Sequence, residues 1–101
     1  MAQFTGNAGN RETKKTFAGA LLRVTKDKKK VKRDCWAEGV FIYMQEGSII
    51  KPEQGRNEYI RELKGDVTIQ PHIDMMIGSA VNIGWTPDQG DMFAEDWEVI
   101  D

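Results

Sequence analysis

The sequence predicts a small α+β domain, an antiparallel sheet with an N-terminal helix and a short C-terminal helix. Three observations carry that prediction. At 101 residues the chain has room for one domain. Apolar residues recur at helical spacing at Phe17, Ala20, Leu21 and Val24, then switch to a period of two from Val31 onward. Short turn signals at 37–39 and at Gly78-Ser79 separate the β-like runs, as hairpins require.

Residues 1–15 are rich in Gly, Asn and Thr and lack an apolar period, so they read as a flexible arm ahead of a domain at 16–101. Thr13 or Thr16 can cap the first helix. Gly19 weakens that helix by about 1 kcal/mol relative to Ala, which suggests a close packing contact. The helix is expected to end between Lys26 and Lys28, where basic side chains suit the negative end of the macrodipole. Val31, Arg33 and Cys35 then alternate with Lys32, Asp34 and Trp36, the pattern of a strand with two faces. After the turn at 37–39, residues 40–44 are apolar enough for a central strand.

The stretch 45–65 is polar and broken by Gly47, Pro52 and Gly55. A short strand at 48–50 and a helical turn or extended edge at 57–63 are its readings. A third strand is expected over 67–75 and a fourth over 80–85. Thr86 as N-cap, Pro87 at the first helical position and Gln89 at the third open a short helix through Glu95. That places Asp88 and Asp91 near its positive end, and 97–100 closes as a final strand.

Composition narrows the function classes. A net charge of -2 weighs against a protein whose main work is gripping nucleic-acid backbone. Lysines crowd positions 26–32 beside Arg33, and acids crowd 91–101; a solvated basic face and an acidic end is the simpler reading. The single cysteine, Cys35, excludes an internal disulfide and any cysteine-based metal spacing; an inert, at least half-buried thiol is expected. No apolar run approaches the roughly 20 residues that span a bilayer, and the N-terminus has no secretory pattern. The expectation is a soluble intracellular chain. So small a domain has a modest core, which favours association with copies of itself.

Candidate chemistry concentrates in the C-terminal third. His72 and Asp74, two apart, share one face of a strand and fit either a base with its orienting carboxylate or half of a metal pair. No second histidine exists to complete a zinc site, so a histidine steadying the turn after Pro71 is the preferred reading. Asp91, Glu95 and Asp96 offer paired carboxylates, yet their spacing does not separate acid–base work from helix-end charge. No nucleophile elbow or phosphate-binding glycine loop is present. Trp97 reads as core. For Trp36 and Trp85 two readings stand side by side: core packing, and a ring facing an opening where it stacks on a nucleobase. Around them Arg33 and Lys32 can meet phosphate, and Asp91 or Asp96 can accept from ribose or a base amine.

Four blocks extend the reading: Phe17-Ala18-Gly19-Ala20-Leu21, the run from Lys29 to Trp36, Pro71-His72-Ile73-Asp74-Met75, and Trp85 followed by the run from Asp91 to Ile100. In order and spacing they resemble the small phage proteins that include the second type of Thoeris anti-defence protein. The resemblance covers most of 17–100, and 45–65 departs from the family pattern. It implies a sponge, without cofactor, that sequesters cyclic nucleotide immune signals rather than a catalyst. Those signals are the cyclic ADP-ribose isomers made by TIR-domain proteins, with cyclic dinucleotides in some relatives. It further implies a homotetramer with pockets between subunits, working in the cytoplasm of the infected host with no nucleic acid or membrane as partner. Carried over by motif, Trp36 and Trp85 enclose the ligand, and Asp91 and Asp96 are candidate polar contacts. The Lys28–Arg33 run is the natural source of phosphate contacts. Against this stand a hydrolase acting through His72, Asp74 and Asp91, and a nucleic-acid module using the lysine run with Trp36.

Overall fold

The computed structural model describes residues 12–100. The elements, in chain order, are β1 (Glu12–Lys15), α1 (Phe17–Lys26), β2 (Lys30–Arg33), β3 (Val40–Gln45), β4 (Ser48–Ile50), a 3-10 turn (Pro52–Gln54), α2 (Glu58–Arg61), β5 (Val67–Ile69), β6 (His72–Ile77), β7 (Ala80–Asn82), α3 (Gln89–Phe93) and β8 (Trp97–Ile100). Six strands form an antiparallel sheet in the order β1-β8-β2-β3-β6-β7, and β4 pairs with β5 in a separate two-stranded sheet. The expected α+β class and both terminal helices are present.

Helix α1 starts where its cap chemistry says. The Thr16 hydroxyl accepts from the Gly19 amide at 3.2 Å, satisfying one of the first turn's unpaired donors. Ala20 and Val24 are buried against the sheet, while Leu21 lies at the rim. The helix stops at Lys26, because Lys28 adopts a left-handed φ of 57° and the Asp27 and Lys29 amides both turn back to the Arg23 carbonyl. The core they cover is Ala20, Val24, Val31, Ile42, Trp97 and Val99, with Phe17, Trp36, Ile73, Met75, Trp85 and Ala94 packed on it. Gly19 has no tight neighbour: a Cβ there would sit 3.6 Å from the Thr16 hydroxyl. The expected close contact is absent.

Several boundaries move, each for a physical reason. Of the stretch read as an arm, Glu12–Lys15 pair with β8 as an edge strand, while 1–11 lie outside the described residues. The first sheet strand ends at Arg33 instead of Trp36, since the chain turns there and the Trp36 amide donates to the Arg33 carbonyl. The single strand expected over 67–75 is two strands in two sheets. Pro71, with no amide to give a ladder, separates β5 from β6. Strand β7 stops at Asn82, and Gly84 follows with φ at 83°. Helix α3 is capped by Asp88 in place of Thr86: Asp88 and Asp91 exchange backbone-to-carboxylate bonds at 2.8 and 3.0 Å, and the helix ends before Glu95.

The segment between β3 and β6 folds as a small unit of its own, here termed the insertion. Ser48 pairs with Ile69, Ile49 with Thr68, and Ile50 with Val67. Asn57 caps α2 through the Ile60 amide, and Arg61 donates to the Gly55 carbonyl at 3.1 Å. No residue of the insertion is buried.

Candidate functional site

The residues singled out in the sequence fall together at one end of the main sheet. Arg33 closes β2 opposite Trp97 of β8, and α3 lays Asp91 beside it. The Arg33 guanidinium grips Asp96 with Nε to Oδ1 at 2.9 Å and Nη2 to Oδ2 at 3.4 Å, and reaches Asp91 Oδ1 with Nη1 at 3.1 Å. Its planar fork suits this double engagement. The hydrogen bond donated to Asp96 is the main influence raising the guanidinium pKa above its ordinary value; Asp91 adds to it and desolvation opposes both. Asp91 is fully committed: its second oxygen accepts from the Asp88 amide, and its carbonyl accepts from the buried Trp97 Nε1 at 3.0 Å. Asp96 keeps more solvent access and borders a cleft of about 190 Å³ with Thr13, Lys14, Asp34 and Glu98.

Trp36 and Trp85 lie on the other side of Trp97. The three indoles meet edge-on: 5.3 Å between Trp36 and Trp97, 6.1 Å between Trp36 and Trp85, and 6.1 Å between Trp85 and Trp97, at interplanar angles of 73° to 81°. Phe17 of α1 closes the group at 5.6 Å from Trp97. Such tilted pairs stabilise by about 0.5–1.5 kcal/mol beyond their burial. Trp97 is wholly buried, and Trp36 and Trp85 are half-buried. All five predicted site residues, Arg33, Trp36, Trp85, Asp91 and Asp96, are therefore brought to one region, where they pack on and pair with one another.

His72 and Asp74 do share a face, with Nε2 3.4 Å from Oδ1. Each has a second structural partner. His72 Nδ1 lies 2.7 Å from the Gln70 carbonyl, which only accepts, so that nitrogen carries the proton and pins the turn around Pro71. Asp74, buried on the sheet, accepts from the Gly84 amide at 2.9 Å and so ties the 83–85 segment to β6. Asp91 sits in the Arg33 cluster, apart from this pair. No group of three metal-ligating side chains occurs among the described residues. Cys35, expected to be at least half-buried, is exposed in the turn after β2.

The basic run is largely engaged within the fold. Lys32 is buried and donates to the Trp36 carbonyl at 2.7 Å. Lys28 bonds to the Thr25 carbonyl and faces Glu46 at 3.4 Å. Lys30 lies over the Phe41 ring, 5.2 Å from its centroid. What sequence reasoning missed is a groove of about 820 Å³ where the insertion meets the main sheet, with Arg56 and His72 among its walls. The only sequence signal was an arginine set between Gly55 and the helix-capping Asn57.

One helix over an antiparallel sheet, with a C-terminal aromatic and acidic block, defines a small α+β domain. The sequence model of the Tad2-like family, described as the Thoeris anti-defense 2-like domain, matches residues 16–100, and the chain belongs to that family. No curated protein matches the chain. The family assigns it to Thoeris anti-defence. No helix among the described residues is long and apolar enough to cross a membrane.

Proposed function

We infer that the protein is a sponge: it captures cyclic nucleotide immune signals, foremost the cyclic ADP-ribose isomers of TIR-domain proteins, and holds them unbroken. The observation that carries this reading is the family match over 16–100. The geometry supports it, because Arg33 holds Asp91 and Asp96 in a closed ionic cluster, which commits both acids to positioning instead of proton transfer. The half-buried rings of Trp36 and Trp85 are the stacking surfaces, and Asp96 and Arg33 form the polar rim. The working unit is a homotetramer in the cytoplasm of the infected host.

Sequestration demands tight, slow-release binding. A nanomolar complex needs about -12 kcal/mol, and base stacking supplies roughly 1–3 kcal/mol per ring, so charge-assisted bonds to phosphate must provide much of the rest. The direct test is to incubate the protein with the cyclic ADP-ribose isomer, denature it by heat and analyse the supernatant. Intact ligand is the expected result, and a cleaved product would overturn the reading. Trp36→Ala and Trp85→Ala are each expected to weaken capture by about tenfold or more with the oligomer intact. Near-native affinity in both would move the stacking site elsewhere.

A further inference from the structure

We propose that the groove between the insertion and the main sheet holds the phosphate-bearing part of the captured nucleotide, with Arg56 as its anion anchor. The proposal rests on the sequestration reading and adds a site that reading does not contain. Its first support is a census of charge. Of the four described arginines, Arg23 pairs with Asp27, Arg33 with two carboxylates, and Arg61 with the Gly55 carbonyl. Arg56 alone makes no hydrogen bond or ion pair. The acids on the groove wall have partners of their own: Asp74 accepts from the Gly84 amide, and Glu46 faces Lys28 at 3.4 Å. Arg56 is thus the groove's uncommitted cation, which favours an anionic occupant beside it.

Shape and anchoring point the same way. About 820 Å³ lies within the range of small-molecule sites and suits a nucleotide. Arg56 is delivered by fixed backbone on both sides. Gly55 packs so closely on Ile60 that a Cβ would come within 2.4 Å of its methyl, and Asn57 is held as the cap of α2. Gln45 and Ser48, whose side chains are also unengaged, line the same groove, together with the apolar Ile60 and Ile69. A guanidinium offers two parallel donors to a phosphate. Ile83 borders the groove two residues before Trp85, so one short segment contributes to both the groove and the aromatic cluster.

The test titrates the full chain with the cyclic ADP-ribose isomer by calorimetry, comparing wild type with Arg56→Gln and with Lys64→Gln, which removes the same charge elsewhere on the insertion. Since Arg56 has no internal partner, its variant should melt with wild type. The expected result is roughly tenfold or greater weakening for Arg56→Gln and less than about twofold for Lys64→Gln. Equal affinity in wild type and Arg56→Gln overturns the groove and leaves sequestration standing. If wild type itself fails to bind the nucleotide, sequestration falls. Amide resonances under inorganic pyrophosphate then decide the groove: shifts confined to 55–57, Ser48 and His72 uphold it as a phosphate site, and their absence ends it.

Discussion

In the block built by Arg33, Asp91, Asp96 and the tryptophans, each charged group faces an opposite charge and each ring meets another ring edge-on. In the insertion between β3 and β6 no side chain is buried, and order comes from caps, turns and a three-pair ladder. The first region is held by contacts between segments distant in sequence. The second is held by contacts that all fall within its own stretch of chain. Rigidity in this protein thus has two sources, and they should fail independently.

Removing the cation of the block tests it most severely. Arg33→Leu leaves Asp91 buried with only the Asp88 amide for company, and a stranded buried carboxylate costs about 3 kcal/mol or more. Urea denaturation is expected to show that loss; a change under about 1 kcal/mol would mean that the rings alone hold the block. Because the guanidinium pKa is raised, its stabilising share is present at neutral pH and, on the alkaline side, is lost only as pH climbs through the raised value.

Gly55→Ala attacks the insertion instead. The new Cβ collides with the stiff, β-branched Ile60 at 2.4 and 2.6 Å. Hydrogen exchange should speed up across 48–69 while β2, β3 and β8 keep their protection, and the global stability should change by less than about 1 kcal/mol. Loss of protection in the main sheet would show that the two regions are coupled. The smallest expected effect has the opposite sign. Gly19 has only ordinary contacts around its missing Cβ, so Gly19→Ala should stabilise α1 by about 0.5–1 kcal/mol, read as a raised melting temperature. A destabilised variant would reveal a backbone requirement at that turn.

The same contrast explains what could be read from the chain itself. Helix α1, the central strand β3 and the final strand β8 were legible because apolar period and cap chemistry are local signals. Arg33, Trp36, Trp85, Asp91 and Asp96 could be singled out one by one as candidates. Their mutual pairing was not legible, since the ring cluster joins Phe17, Trp36, Trp85 and Trp97 across most of the sequence. Thr86-Pro87 mimicked a helix start, and Asp88 took the cap because Asp91 could reciprocate. The split at Pro71 was visible in principle, but two apolar runs on either side read as one strand. The groove depended on how the insertion seats against β6, which no local pattern encodes.

The position of β8 has a consequence for assembly. It lies between β1 and β2, so a strand made last in sequence joins two made first. During synthesis the insertion can pair β4 with β5 as soon as its own residues emerge. Strands β2, β3, β6 and β7 can pair before residue 100 is made, but β1 joins the sheet only through β8, and until then β1 and the outer edge of β2 stay unpaired. Closing that gap is a long-range step with a large loop-closure cost, which predicts that folding is slow for a domain of this size and completes in one late, cooperative event.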